Sequence, residues 1–217
     1  MIECRELLAA SKAMRVIGLT GGIGTGKSEV SRILRELGSV VISADMLGHE
    51  TYKPNTETWQ QVVDAFGKEV VGTNGQIDRK RLGEIVFSDP KARAKLDSIM
   101  WPQITKLARQ RIENLRRQET DTIVLEAAVL IEAGWDSLVD EVWITYSPKD
   151  VVLERLKGRS GLSEGQIRDR VNAQLPYEEL VKHGQVIIDN TATLKELQAK
   201  VETLWERRKE ESSDKNG

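Results

Sequence analysis

The stretch Gly21-Gly22-Ile23-Gly24-Thr25-Gly26-Lys27-Ser28 has the spacing G-x-x-x-x-G-K-[ST], the pattern of a phosphate-binding loop. Its chemistry follows from residue type. Glycines let the backbone curl with its N–H groups turned inward, and the start of a following helix adds positive potential. Lys27 can reach the β- and γ-phosphates, and the Ser28 hydroxyl can hold Mg²⁺. The expected nucleotide contacts are therefore Gly22, Ile23, Gly24, Thr25, Gly26, Lys27, Ser28 and the adjoining Glu29, with Ser28 also the metal ligand.

Carboxylates and arginines supply the rest of a phosphoryl-transfer set. Asp45 follows a second apolar run and suits a group that orients an acceptor hydroxyl and takes its proton; the plainer alternative is an N-cap for the helix at Met46. Its run is expected to form the strand beside the phosphate-loop strand, so that its oxygens can face the γ-phosphate. Glu126 ends another apolar run and either holds Mg²⁺ through water or faces solvent. Arg155, Arg159, Arg168 and Arg170, with Gly158 and Gly161 between them, read as a lid over the nucleotide, with Arg155 and Arg159 as its phosphate contacts. The interleaved Glu154, Glu164 and Asp169 keep open a solvated helix face instead. His49 and His183 lack metal-ligand spacing, although His49 shares a helix face with Asp45.

The elements that must hold these groups are legible around them. Val16 to Thr20 reads as a buried strand, and Val30, Ile33, Leu34 and Leu37 stripe a helix that Gly38 caps. Val40 to Ser43, Thr122 to Leu125, Val142 to Tyr146 and Gln185 to Ile188 read as further strands. Helical patterns fill the chain from 46 to 118, including Trp59, Val62, Val63 and Phe66. The segments 151–157 and 164–175 also read as helices, and Leu194, Leu197, Val201, Leu204 and Trp205 stripe a last one. Strands alternating with helices imply an α/β fold with a five-stranded parallel sheet flanked by helices. Ligands then bind at the carboxyl ends of the strands, where the phosphate loop, Asp45, Glu126 and Asp189 all fall. Trp59 and Trp101 are expected in packing rather than stacked on a ligand.

The bulk numbers fit. A chain of 217 residues suits one such domain with an insertion. A net charge of −2 argues against a nucleic-acid partner. Cys4 is the only cysteine, so no intrachain disulfide forms and a cytoplasmic setting is the default. No apolar run approaches the roughly 18 residues of a membrane span. The domain is expected over 14–208, with Met14 just before the first strand and 1–13 and 209–217 as tails. A GTPase is disfavoured: there is no Asn-Lys-x-Asp, and Asp45-Met46-Leu47-Gly48 follows Ser28 too soon to be its D-x-x-G.

Read together, the motifs resemble the dephospho-CoA kinase family from Met14 to about Trp205. Ile17 to Ser28 looks like that family's opening strand and loop, and Ser43-Ala44-Asp45 like its Asp-Ala-Asp. Gly75 to Arg79 with Leu82 resembles G-x-[LI]-[DN]-R-x-x-L, and Val129 to Trp135 resembles P-L-L-F-E-A-G-W in part. Arg155, Leu156, Arg159, Gly161 to Ser163, Arg170 and Gln174 match its lid pattern, and Val186 to Asn190 its last strand. The resemblance implies a P-loop kinase fold of the adenylate-kinase type, with core at 14–45 and 120–208, a helical substrate-binding insertion at about 46–118 and a lid at about 156–175. It implies ATP and Mg²⁺ as cofactors, dephospho-CoA as partner substrate, and a monomer or small homo-oligomer. It implies Asp45, Lys27 and Arg155 as catalytic, Asn190 as a further ATP contact, and Thr20, Asp45, His49, Arg79, Leu130 and Glu132 as substrate contacts. Three departures stand in the chain: Ser43 for the first Asp, Trp101-Pro102 for His-Pro, and Ala128 for a Pro.

Overall fold

The computed structural model describes residues 14–159, 165, 167, 168, 171 and 174–214, without the side chains of Gly158, Arg159 and 211–214. Half of the segment expected to form the lid, Arg170 included, lies outside the described residues.

Five strands form one sheet among the described residues: β1 (Arg15–Gly21), β2 (Val40–Ser43), β3 (Thr122–Glu126), β4 (Glu141–Tyr146) and β5 (Val186–Asp189). All pairings are parallel and the order is β2-β3-β1-β4-β5. The period-two alternation of side chains decides which layer each residue feeds. Val16, Ile123, Leu125, Val142 and Ile144 face one core, and Ile17, Leu19, Val124, Trp143 and Ile188 face the other.

The second core is closed by α1 (Lys27–Glu36) and α8 (Leu194–Asp214). Helix α1 buries Val30, Ile33 and Leu34, each at most 1 % exposed; burial of each contributes on the order of 2 kcal/mol. Helix α1 ends in a Schellman turn, with Gly38 N–H bonded to Arg35 O and Ser39 N–H to Leu34 O. Helix α8 sets Leu197, Val201 and Trp205 against the same layer.

The first core lies under a helical segment: α2 (Ala44–Thr51), α3 (Glu57–Phe66), α4 (Arg79–Ser88) and α5 (Pro90–Arg117). Helix α5 buries Met100, Ile104, Ala108 and Ile112 at four-residue spacing and packs on α2, α3 and α4. Trp59 and Trp101 are partly buried against this core, as expected for packing residues. Helix α6 (Lys149–Arg159) and the short α7 (Tyr177–Leu180) complete the regular elements among the described residues.

One expectation is corrected. The strand that leads to Asp45 is not the neighbour of the phosphate-loop strand, because β3 lies between them. The chain runs from β1 over α1 to the sheet edge, and the long return through α2–α5 brings β3 back into the gap. Register preserves the relationship that chemistry needs. Leu19 and Ser43 both pair with Glu126, so the end of β2 stands level with Leu19, two residues before the end of β1. Two strand spacings, about 9–10 Å, separate them.

Candidate active site

The carboxyl ends of β1, β2, β3 and β5 and residues Arg155 and Leu156 of α6 enclose a cavity of about 660 Å³. Gly22, Ile23, Gly24, Gly26, Lys27, Ser28 and Glu29 line it, together with Asp45, Glu126, Ala128, Arg155, Gln174 and Asn190. The phosphate loop, the end of β2 and the end of β3 thus converge.

Backbone geometry shapes the loop. Gly26 stands at the N-cap of α1 with φ 100°, and no side chain takes the cap hydrogen bond. The first amides of α1 therefore have no side-chain acceptor at the cap and form an anion-binding end. The loop is braced from behind. Asn190 Nδ2 donates to Thr25 O at 2.9 Å, and a methyl on Gly26 would come within 2.1 Å of that nitrogen. Thr25 Oγ1 shares a 2.7 Å hydrogen bond with Thr145 Oγ1 and donates to Gly22 O. Arg155 Nη1 donates to Ser147 Oγ and its Nη2 to Asn190 O, at 3.0 and 2.9 Å. That fixes the guanidinium where α6 meets the sheet, with three of its five N–H groups left for the cavity.

Lys27 Nζ donates to Gly21 O at 2.8 Å. Burial pushes its ammonium below the ordinary lysine value, while Glu126, then Asp45, then Glu132 hold it up. Asp45 is exposed in the first turn of α2 and does not cap it. Ser43 is the N-cap, its Oγ accepting from Met46 N at 3.4 Å. The serine that replaces the family's first aspartate thus starts the helix that carries Asp45.

The remaining expected residues separate. His49 and Arg79 meet in the helical segment, with Arg79 Nη1 3.2 Å from His49 Nδ1 and 2.5 Å from its Nε2. Burial and then the Arg79 charge lower the His49 pKa, against an opposing pull from Asp45. Glu132 Oε1 accepts from Leu175 N at 3.4 Å, and its Oε2 is buried with no hydrogen-bond partner among the described residues. Glu29 lines the cavity with its carboxylate tied to Arg32 at 2.6 Å, so its side chain is no phosphate donor. Leu130 is 0 % exposed, and a methyl on Gly18 would come within 2.9 Å of its Cδ2, so its side chain packs in the core beneath β1. Thr20 is likewise 0 % exposed and lies beneath the loop, its carbonyl accepting from Thr145 Oγ1. Arg159's side chain lies outside the described residues. Thr145 and Ser147 were not anticipated. Their signal is two hydroxyls on either side of Tyr146, after the apolar run Val142 to Ile144 of β4.

A parallel sheet with a phosphate loop after β1 and a carboxylate, Asp45, after β2 in the same cavity fits a P-loop phosphotransferase of the small-molecule kinase type. The family model for dephospho-CoA kinase matches residues 15–196. The dephospho-CoA kinase of Geobacter sulfurreducens is 46 % identical over 195 residues, covering 90 % of this chain and 99 % of the relative. A Thermus thermophilus structure superposes with TM-score 0.74 at 30 % identity, covering 89 % of this chain and 97 % of that one. The dephospho-CoA kinase of Campylobacter jejuni superposes with TM-score 0.67 at 27 % identity, covering 89 % and 96 %. The chain belongs to the dephospho-CoA kinase family.

Proposed function

We propose that this chain transfers the γ-phosphoryl group of ATP to the ribose 3′-hydroxyl of dephospho-CoA, giving CoA and ADP. The observation that carries the reading is the shared cavity: Lys27 and Asp45 line one space, on either side of Glu126, close enough for both carboxylates to act on the ammonium. A phosphoryl group held by Lys27 then lies between the loop and Asp45. Asp45 orients the acceptor hydroxyl and takes its proton as the P–O bond forms in line with the departing ADP. Arg155 faces the same cavity and offsets the charge on the moving group. The helical segment at 46–118 is the proposed acceptor-binding region, with His49 and Arg79 among its contacts. The proposed setting is the cytoplasm; among the described residues no helix is long and apolar enough to cross a membrane.

Mg²⁺ fits the donor set. Ser28 and Glu126 line the cavity, and no group of three His, Cys, Asp or Glu side chains is gathered as a metal cage among the described residues. That is the pattern of a Mg²⁺ held by one hydroxyl, phosphate oxygens and water, with Glu126 reached through water. When bound, the ion neutralises phosphate charge beside Glu126 and Asp45.

The test is ADP release with ATP and Mg²⁺, with and without dephospho-CoA, alongside a mass measurement of CoA. ADP that forms only with dephospho-CoA, in step with CoA, is the expected result. Asp45→Asn is expected to keep ATP binding and to lose turnover by about 10²-fold or more, the scale of a removed general base. Unchanged turnover in that variant removes Asp45 from the mechanism.

A further inference from the structure

Gln174 ties the chain just before α7 to the phosphate loop, across 151 positions of sequence. Its Oε1 accepts from the Ile23 N–H at 2.6 Å. Only an oxygen can accept from an amide N–H, so this contact fixes which end of the carboxamide is which. The Nε2 end is left with two N–H donors, and no acceptor takes them among the described residues. The next residue is held as well, by the Leu175 N–H on Glu132 Oε1. Glu132 is one of the three carboxylates that act on Lys27. Gln174 lines the cavity that also holds Lys27, Asp45 and Arg155, and it lines a second one, of about 410 Å³, with Tyr146, Val152 and Tyr177.

We propose that Gln174 is a further catalytic residue: held through Oε1 by the Ile23 N–H, it presents its Nε2 donors to the γ-phosphoryl group of bound ATP. This rests on the transfer reading above for which phosphate is meant. The chemistry suits a neutral donor. The charges of Glu126, Asp45 and Glu132 already act on Lys27, and a carboxamide adds donors at a fixed direction without adding charge. A donor held in place before the reaction stabilises charge on the moving group with no reorganisation.

Gln174→Glu is the decisive variant. It is nearly isosteric, keeps an acceptor for the Ile23 N–H, and replaces the donors with a second carboxylate oxygen. Gln174→Met, uncharged and of similar reach, removes both functions. Affinities for ATP and ADP are measured calorimetrically on the whole chain without acceptor, and turnover and melting temperature are measured separately. The expected result for Gln174→Glu is an unchanged melting temperature, unchanged ADP affinity, and ATP affinity and kcat each lower by about tenfold or more. Gln174→Met is expected to lower kcat by a similar factor while keeping ADP affinity. If Gln174→Glu keeps the parent ATP-to-ADP affinity ratio and kcat within about twofold, the side chain is a structural tie and the proposal fails. Because the affinity ratio is read without acceptor, it stays interpretable if the parent chain does not phosphorylate dephospho-CoA.

Discussion

Gly26→Ala tests how the phosphate loop is held. Gly26 has φ 100°, a conformation that costs a side-chain-bearing residue about 1–2 kcal/mol. The new methyl would also stand 2.1 Å from Asn190 Nδ2 and 3.2 Å from its Cγ, so the carboxamide must leave. Asn190 is only 7 % exposed, and its Nδ2 loses the 2.9 Å bond to Thr25 O. An unsatisfied buried donor costs about 1–3 kcal/mol. The sum is about 2–5 kcal/mol, and for a chain of this length each kcal/mol lowers the melting temperature by about 2–4 °C. Asn190→Ala alone is expected to cost about 1–3 kcal/mol through the same lost bond. In the double variant the methyl meets no carboxamide, so only the backbone strain is added to the loss from Asn190→Ala. The two losses should therefore fall short of additivity by about 1–3 kcal/mol, well outside the roughly 0.5 kcal/mol scatter of independent sites. Urea unfolding of the four proteins, nucleotide-free and monitored by circular dichroism, gives the cycle. Additive losses within that scatter would show that Asn190 does not abut Gly26, and the account of the braced loop would be wrong.

Two further outcomes follow from groups outside the loop. Arg208→Met strands the Glu141 carboxylate, 4 % exposed and paired with that guanidinium at the opposite end of the sheet. The expected loss is about 3–5 kcal/mol in stability, with kcat near the parent value at temperatures where the variant is folded; an unshifted thermal melt refutes it. Arg79→Ala is expected to raise the His49 pKa toward its ordinary 6.5, since the Arg79 charge is one of the two influences lowering it. The sign carries over to stability: with the folded value below the unfolded one, His49 costs stability as pH falls through the unfolded value, and the variant should lose less there. An NMR titration of the two histidines reads this directly, and a His49 pKa that stays or falls contradicts the pairing.

How much was legible in the sequence depended on how local each feature is. Strand β1, the phosphate loop and α1 sit within about two dozen consecutive residues, and their glycine spacing, apolar runs and cap are short-range signals. The five strands were legible for the same reason. Their order was not, because whether β2 or β3 lies beside β1 is settled by packing across the whole sheet. That is why Asp45 was expected one strand nearer the loop than it is. Leu130 shows the same limit. Where the side chain of a leucine after β3 packs depends on Gly18, more than a hundred positions earlier. The braces behind the loop are equally non-local: Asn190 reaches Thr25 across 165 positions and Gln174 reaches Ile23 across 151. Ser43 went the other way. As a departure from a motif it looked like a loss, whereas three-residue capping geometry gives it a definite structural task.

The two outer strands have a bearing on life in a crowded solution. A sheet that does not close on itself leaves two rows of backbone groups able to recruit a stranger's strand. Here both rows are four residues long, in β2 and β5, and no further strand pairs with either among the described residues. A row so short offers an intruding segment only a few hydrogen bonds, too few to compete with solvent. At β5 it is shorter still, because Lys200 reaches across 2.9 Å to occupy the carbonyl of Asp189 with a positive charge. Self-association by edge-to-edge templating is thus blunted at the level of strand length, and the long, apolar, aggregation-prone segments β1, β3 and β4 are the ones kept in the middle.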